Sequence, residues 1–156
     1  MSAVSGSDSN IDLLLVEDTP EDVELTLEAF SEHLPVIRIH VAHDGEEALQ
    51  FLFGPHGKEP RDPLPKVVLL DLKLPKIDGL EVLERIRADP STRTLPVVLL
   101  TSSSEESDMH RGYLLHANSY IVKPVVFEDF VRAVNDIGMY WLGLNRAPTR
   151  SQAGLP

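Results

Sequence analysis

Cysteine is absent from the 156 residues, so neither a disulfide nor a thiolate metal site is available. That usage is compatible with a reducing compartment. Long apolar runs are missing too: the longest reach about six residues, against the ~20 that a membrane-spanning helix needs. Basic residues are scarce, with 14 Lys and Arg against 25 Asp and Glu and a net charge of −11. Phosphate backbones repel such a surface, and the densest basic stretch, 85–93, is broken by Asp89 and holds no aromatic side chain. No nucleic-acid partner is expected. The opening MSAVSGSDSN has neither the basic start nor the apolar core of a secretory signal. It is expected to be a disordered lead (1–10), and the chain a soluble cytoplasmic protein without membrane contact.

What is present is an alternation of apolar runs and amphipathic stretches. Residues 11–16 form a strand-like run, after which Thr19-Pro20-Glu21 opens a helix, with Thr19 as N-cap and Pro20 in the first turn. In that helix Val23, Leu27, Phe30 and Leu34 recur every three or four residues, which gives one buried stripe. Residues 36–41 alternate apolar with Arg and His, as an edge strand does. Asp44-Gly45 turns into a helix carrying Ala48, Leu49, Leu52 and Phe53. Four prolines and two glycines in 54–65 mark an extended loop. Strands are then expected at 66–70, 95–100 and 119–122, and helices at 79–87, 104–116 and 126–144, with a flexible tail (145–156).

These make five strand–helix units. The runs at 13–16, 67–70 and 97–100 are continuously apolar, as strands are when both faces of a parallel sheet are covered. The fold expected for 11–144 is a doubly wound α/β sandwich, strand order 2-1-3-4-5, whose ligands lie beyond the carboxyl ends of the strands.

Those ends carry the chemistry. The first strand runs into Glu17-Asp18, the third into Asp71, the fourth into Thr101 and the fifth into Lys123-Pro124. Clustered carboxylates raise one another's pKa unless a cation compensates. A hard divalent ion, Mg2+, suits them, with oxygen ligands from Asp18 and Asp71, Glu17 through a water, and the carbonyl of Lys73. Asp71 then becomes a carboxylate nucleophile toward phosphorus. Lys123 and Thr101 are placed to hold phosphoryl oxygens, since such transfers depend on positioning and positive charge. Singly, each feature has an ordinary alternative. Glu17-Asp18 could favour a helix dipole, Asp71 could close a turn, and Thr101 could open a capping box in TSSSEES. Their joint placement on alternating strands favours a site. The six histidines show no ligand spacing and no acidic or cysteine partner, and are expected at the surface or the sheet edge.

At LLVED (14–18), AHDGEEAL (42–49), VVLLDLKLPKIDGLEVLERIR (67–87), PVVLLTSSSEE (96–106) and YIVKP (120–124) the chain resembles the receiver domains of two-component response regulators. The resemblance implies that Asp71 is the phosphoacceptor and Glu17 and Asp18 the acidic pair. Lys73 would give its backbone carbonyl to Mg2+. Thr101 would be the hydroxyl switch, Tyr120 the aromatic switch residue, Lys123 the phosphoryl-binding lysine, and Pro124 would follow a cis peptide bond that aims Lys123 inward. The donor implied is a sensor histidine kinase, and the output a changed surface of the fourth helix, fifth strand and fifth helix. The protein would catalyse only its own phosphorylation and dephosphorylation.

The proline-rich insertion, DLKLPKIDG and Tyr140-Trp141-Leu142 further resemble the single-domain regulators paired with cyanobacterial and bacterial phytochromes. That makes the expected kinase a phytochrome. Lys73 departs from the smaller polar residue common at its position, and is expected to screen the phosphoryl group or compete with Mg2+. Ser102 is small and should leave the acceptor accessible. Met139-Tyr140-Trp141-Leu142 is apolar all round its turn, which fits packing under the sheet or, as expected from the resemblance, a homodimer contact.

Rival functions fit less well. A phosphohydrolase of the haloacid-dehalogenase type needs a second aspartate where Lys73 stands, and a flavodoxin-like cofactor binder needs a hydroxyl-rich loop where Glu17 to Asp22 are acidic. A receiver used as an interaction module without phosphorylation is the remaining alternative.

Overall fold

The computed structural model describes residues 10–146. The expected lead (1–10) and tail (145–156) fall outside these residues except for Asn10, Asn145 and Arg146. In chain order the elements are β1 (Leu13–Val16), α1 (Pro20–His33), β2 (Ile39–Ala42), α2 (Gly45–Phe53), β3 (Val67–Leu70), α3 (Gly79–Ala88), β4 (Val97–Thr101), α4 (Glu106–Leu114), β5 (Ser119–Val122) and α5 (Phe127–Gly138). A π-helical segment, Met139–Leu144, continues α5.

The strands form one parallel sheet in the order β2-β1-β3-β4-β5. Alternation along each strand divides the apolar residues between two cores. Leu14, Val16, Val68, Leu70, Val97 and Leu99 face α2 and α3. Leu13, Leu15, Val67, Leu69, Val98 and Leu100 face α1 and α5. This two-sided burial is why the central strands read as unbroken apolar runs. Among the described residues no helix is long and apolar enough to cross a membrane.

Register sets the site. Val16 pairs with Leu70, so Glu17 and Asp71 leave the sheet side by side, and the Asp71 N–H donates to the Val16 carbonyl at 3.1 Å. Thr101 pairs with Val122, which delivers Lys123 to the same edge. Two of the helices that start there, α2 and α3, are capped by aspartate side chains. Asp44 accepts from the Glu47 N–H at 2.8 Å and Asp78 from the Glu81 N–H at 3.0 Å, each such cap stabilising by about 1 kcal/mol.

Several boundaries differ from the expectation. β2 begins at Ile39 rather than 36, because Leu34 to Ile37 turn tightly and leave Val36 87 % exposed. Thr101 is no helix cap: it is the fully buried last residue of β4, and α4 begins only at Glu106. The last helix does not run unbroken to 144. At Gly138 it meets Phe30 and Leu34 of the α1 end, and the chain widens into the π turn that the Asn145 N–H closes on the Tyr140 carbonyl at 2.6 Å. Trp141 and Leu142 pack on the α1–α5 core, while Met139, Tyr140 and Leu144 stay exposed.

The first turn of α3 presses against the backbone of the β3 end. A Cβ at Gly79 would overlap the Asp71 carbonyl and the Leu72 Cα, and both are backbone atoms that cannot swing aside. Gly79→Ala should therefore cost about 2–3 kcal/mol by overpacking. Gly143→Ala, where a Cβ meets nothing within 4 Å, should stay within about 0.5 kcal/mol of wild type. Urea unfolding of the two variants checks the contrast.

Candidate functional site

Three strands and one helix deliver the site's charged groups. Glu17 follows β1, Asp71 follows β3, Lys123 follows β5, and Asp22 sits in the first turn of α1. One oxygen each from Glu17, Asp18 and Asp71 lies within 4.8 Å of the others. Glu17 and Asp71 are buried and Asp18 is exposed. The Lys123 ammonium donates to Glu17 Oε1 at 2.7 Å, Asp22 Oδ2 at 2.7 Å and Asp71 Oδ2 at 3.0 Å. One cation thus bridges three carboxylates.

The electrostatics follow. Burial pushes the Glu17 carboxyl above its usual value, and the Asp71 charge adds to that against the pull of Lys123. Burial works to lower the Lys123 pKa, but the hydrogen bonds to Asp22 and Glu17 and the charge of Asp71 outweigh it and raise it. The lysine is therefore held as a cation.

Of the sequence-predicted site residues, Glu17, Asp18, Asp71 and Lys123 come together in one cluster, while Thr101 and Tyr120 stand on the neighbouring strands with contacts to Ser103. Thr101 stands one strand away from Asp71, and its Oγ1 accepts from the Ser103 N–H at 3.3 Å. Tyr120 is half-buried on β5, and its hydroxyl donates to the Ser103 carbonyl at 2.9 Å. The Lys73 N–H donates to Asp71 Oδ1 at 3.3 Å. With Asp71 a bare carboxylate, the Lys73 side chain pairs away from the acceptor. The ammonium lies 3.4 Å from Asp108 Oδ2 at the start of α4. The expected cis bond before Pro124 is also corrected: Asp62–Pro63 is the cis peptide among the described residues. Lys123 is aimed by other means. Its N–H extends the ladder to the Thr101 carbonyl at 2.8 Å, and three carboxylates draw its ammonium inward.

Sequence reasoning missed Asp22 and Asp108. Asp22 was legible in part, because the third residue of a helix opened by Thr19-Pro20 faces back over the preceding loop. Asp108 had no local signal. Among the histidines, His40 lies on the edge strand β2, stacked on Phe51 with ring centroids 4.3 Å apart.

The donor set fits a hard divalent ion: oxygen ligands only, two of them buried, and an excess of negative charge that one lysine does not cancel. Glu17, Asp18 and Asp71 are the residues that would hold it. Removing the lysine tests the balance. Lys123→Met should cost about 3 kcal/mol at pH 7, the usual penalty for stranding buried charge. Burial raises the Glu17 carboxyl in the fold, and without Lys123 it should rise further. Such a group destabilises above its unfolded pKa and is relieved by protonation as pH falls. The gap from wild type should therefore narrow between pH 7 and pH 5 in thermal unfolding. A gap independent of pH would contradict this.

Comparison with known proteins gives a consistent result. The family model for the response regulator receiver domain matches residues 13–135. The chain is 45% identical over 136 residues to the probable methanogenesis regulatory protein FilR2 of Methanothrix harundinacea, covering 87% of this chain and 86% of that protein. It is 38% identical over 130 residues to response regulator Rcp1 of Synechocystis sp., covering 83% and 88%. The crystal structure of the Mn2+-bound form of Rcp1 superposes with a TM-score of 0.79 at 35% identity, over 88% of this chain and 99% of that one. The phosphorylated cyanobacterial phytochrome response regulator RcpA superposes with a TM-score of 0.80 at 35% identity, over 89% and 99%.

Proposed function

Because the chain belongs to the response regulator receiver family of two-component systems, we propose that Asp71 accepts a phosphoryl group from the phosphohistidine of a sensor kinase. The observation that carries the reading is the junction of a buried nucleophilic carboxylate with an ammonium 3.0 Å away and two neighbouring acids on one sheet edge. A carboxylate oxygen of Asp71 forms the new O–P bond as the P–N bond of the donor breaks. The electron pair stays with the imidazole nitrogen, which takes a proton. Mg2+, when bound at Glu17, Asp18, Asp71 and the Lys73 carbonyl, supplies positive charge to the phosphoryl oxygens.

The chain's own groups do the rest. Lys123 exchanges its carboxylates for a phosphoryl oxygen, and the Thr101 hydroxyl donates to another. Pro124 ends the β5 ladder behind Lys123, because it has no N–H to continue it. As Thr101 turns toward the phosphoryl group, Tyr120 follows into the space behind it, and the face of α4, β5 and α5 changes. That face exposes Tyr113, Leu114, Val122, Val125, Val126 and Phe127, an apolar surface suited to a protein contact. The receiver unit comprises residues 11–144, acts in the cytoplasm and turns over no substrate beyond its own phosphorylation.

The likeness to RcpA, a cyanobacterial phytochrome response regulator, supports a phytochrome as the kinase. A homodimer is favoured by the exposed Met139, Tyr140 and Leu144 beyond α5.

Incubation with Mg2+ and a small acyl-phosphate donor should add about 80 Da, one HPO3 unit, to the wild type and nothing to Asp71→Asn. The adduct should be lost in base. Equal labelling of the two proteins in mass spectra would refute Asp71 as acceptor. Light scattering tests the dimer: replacing Met139 and Leu144 with Glu should halve the mass of the wild-type particle. A monomeric wild type would exclude the contact.

A further inference from the structure

Lys73 is rooted beside the acceptor and tied to a different helix. Its backbone N–H touches Asp71 Oδ1, while its ammonium lies 3.4 Å from Asp108 Oδ2 in the first turn of α4. Asp108 accepts from the Ser103 hydroxyl at 2.6 Å, and the Ser103 carbonyl accepts from the Tyr120 hydroxyl at 2.9 Å. A continuous set of polar contacts therefore runs from the acceptor through Lys73 and Asp108 to Ser103 and Tyr120.

The two ends of the Lys73–Asp108 pair differ. The lysine side chain is 64 % exposed and that of Asp108 9 %. Asp108 does not depend on the lysine: the Ser103 hydroxyl is the main cause holding its carboxyl below the usual range, with Lys73 adding to it, and the α4 N-terminus favours its charge. The ammonium can leave at small cost, on a flexible four-carbon stem.

We propose that Lys73 is a latch between the acceptor and α4, paired with Asp108 while Asp71 is a bare carboxylate and drawn to the phosphoryl group once Asp71 carries one. Charge decides the direction. A phosphoryl group brings about 1.5–2 negative charges and three acceptor oxygens beside the point where Lys73 is rooted. Asp108 offers one carboxylate already satisfied by a hydroxyl. Departure of Lys73 leaves Asp108 and Ser103 held to the sheet edge by one link fewer, which frees the carbonyl that anchors Tyr120. Lys73 is thus a positioning residue that reports acceptor occupancy to α4. The inference rests on Asp71 being the acceptor.

The test uses beryllofluoride, a tetrahedral phosphoryl mimic, titrated with Mg2+ into the whole protein. The double-mutant cycle takes wild type, Lys73→Met, Asp108→Asn and the double variant, with Lys73→Arg as rescue and Asp71→Asn as control; the backbone carbonyl of residue 73 is present in every one. Asp108→Asn weakens the latch and should tighten beryllofluoride binding about two- to five-fold, the range open to a part-exposed ion pair. In the Lys73→Met background the same change should have no effect, and Lys73→Arg should restore it. In amide NMR spectra, beryllofluoride should shift Ser103 and Met109 strongly in wild type and less than half as far in Lys73→Met. An Asp108→Asn effect equal in both backgrounds overturns the latch alone. A wild type that binds no beryllofluoride, or an Asp71→Asn that binds it equally, overturns the acceptor reading and the latch with it.

Discussion

One ammonium among three carboxylates holds the carboxyl edge of this sheet together. Glu17, Asp22 and Asp71 come from β1, α1 and β3, and Lys123 from β5, so the contact joins four elements across the sheet edge. Without a cation these acids would repel, and burial already lifts the Glu17 carboxyl. The arrangement is compact because a cation is present. Lys123 compensates charge in the resting site and, under the proposed function, is drawn to a phosphoryl oxygen when one arrives.

The sheet's register makes this possible. All strands are parallel, so every carboxyl end opens on the same edge, and Val16 opposite Leu70 sets Glu17 next to Asp71. Gly79 lets α3 close against the Asp71 carbonyl where a larger residue would collide. The apolar strands bury both faces and fix the edge rigidly, and the polar groups standing on that edge are those able to exchange partners.

This division explains what could be read from the sequence. Fully apolar runs at 67–70 and 97–100 identify central parallel strands because covering both faces demands them, and parallel strands carry Glu17, Asp71 and Lys123 to one edge; the order of the strands was expected from the fold class, not from the runs themselves. The contacts of exposed side chains were not legible. In the sequence Lys73 reads only against the phosphoryl group and Mg2+; its pairing with Asp108 has no signal there, because it is decided by where α4 begins. That start was misjudged because TSSSEES offers several caps, and the burial of Thr101 in β4 removes one of them. The expected cis bond before Pro124 failed for a similar reason: the direction of Lys123 comes from a backbone ladder and three acids, none of which is adjacent in sequence.

The two lysines beside Asp71 illustrate how the same charge takes different roles by burial. Lys123 is 10 % exposed and held by three acids, so moving it rearranges the core of the site. Lys73 is mostly exposed and held by one acid that has another partner, so moving it costs little and is felt mainly at α4. If, as proposed, the site binds a phosphoryl group and announces its arrival, it needs both: a firmly held cation to stabilise the anion, and a loosely held one whose change of partner can be transmitted. The strand ends place the first, and the long stem of Lys73, rooted two residues past the nucleophile, supplies the second.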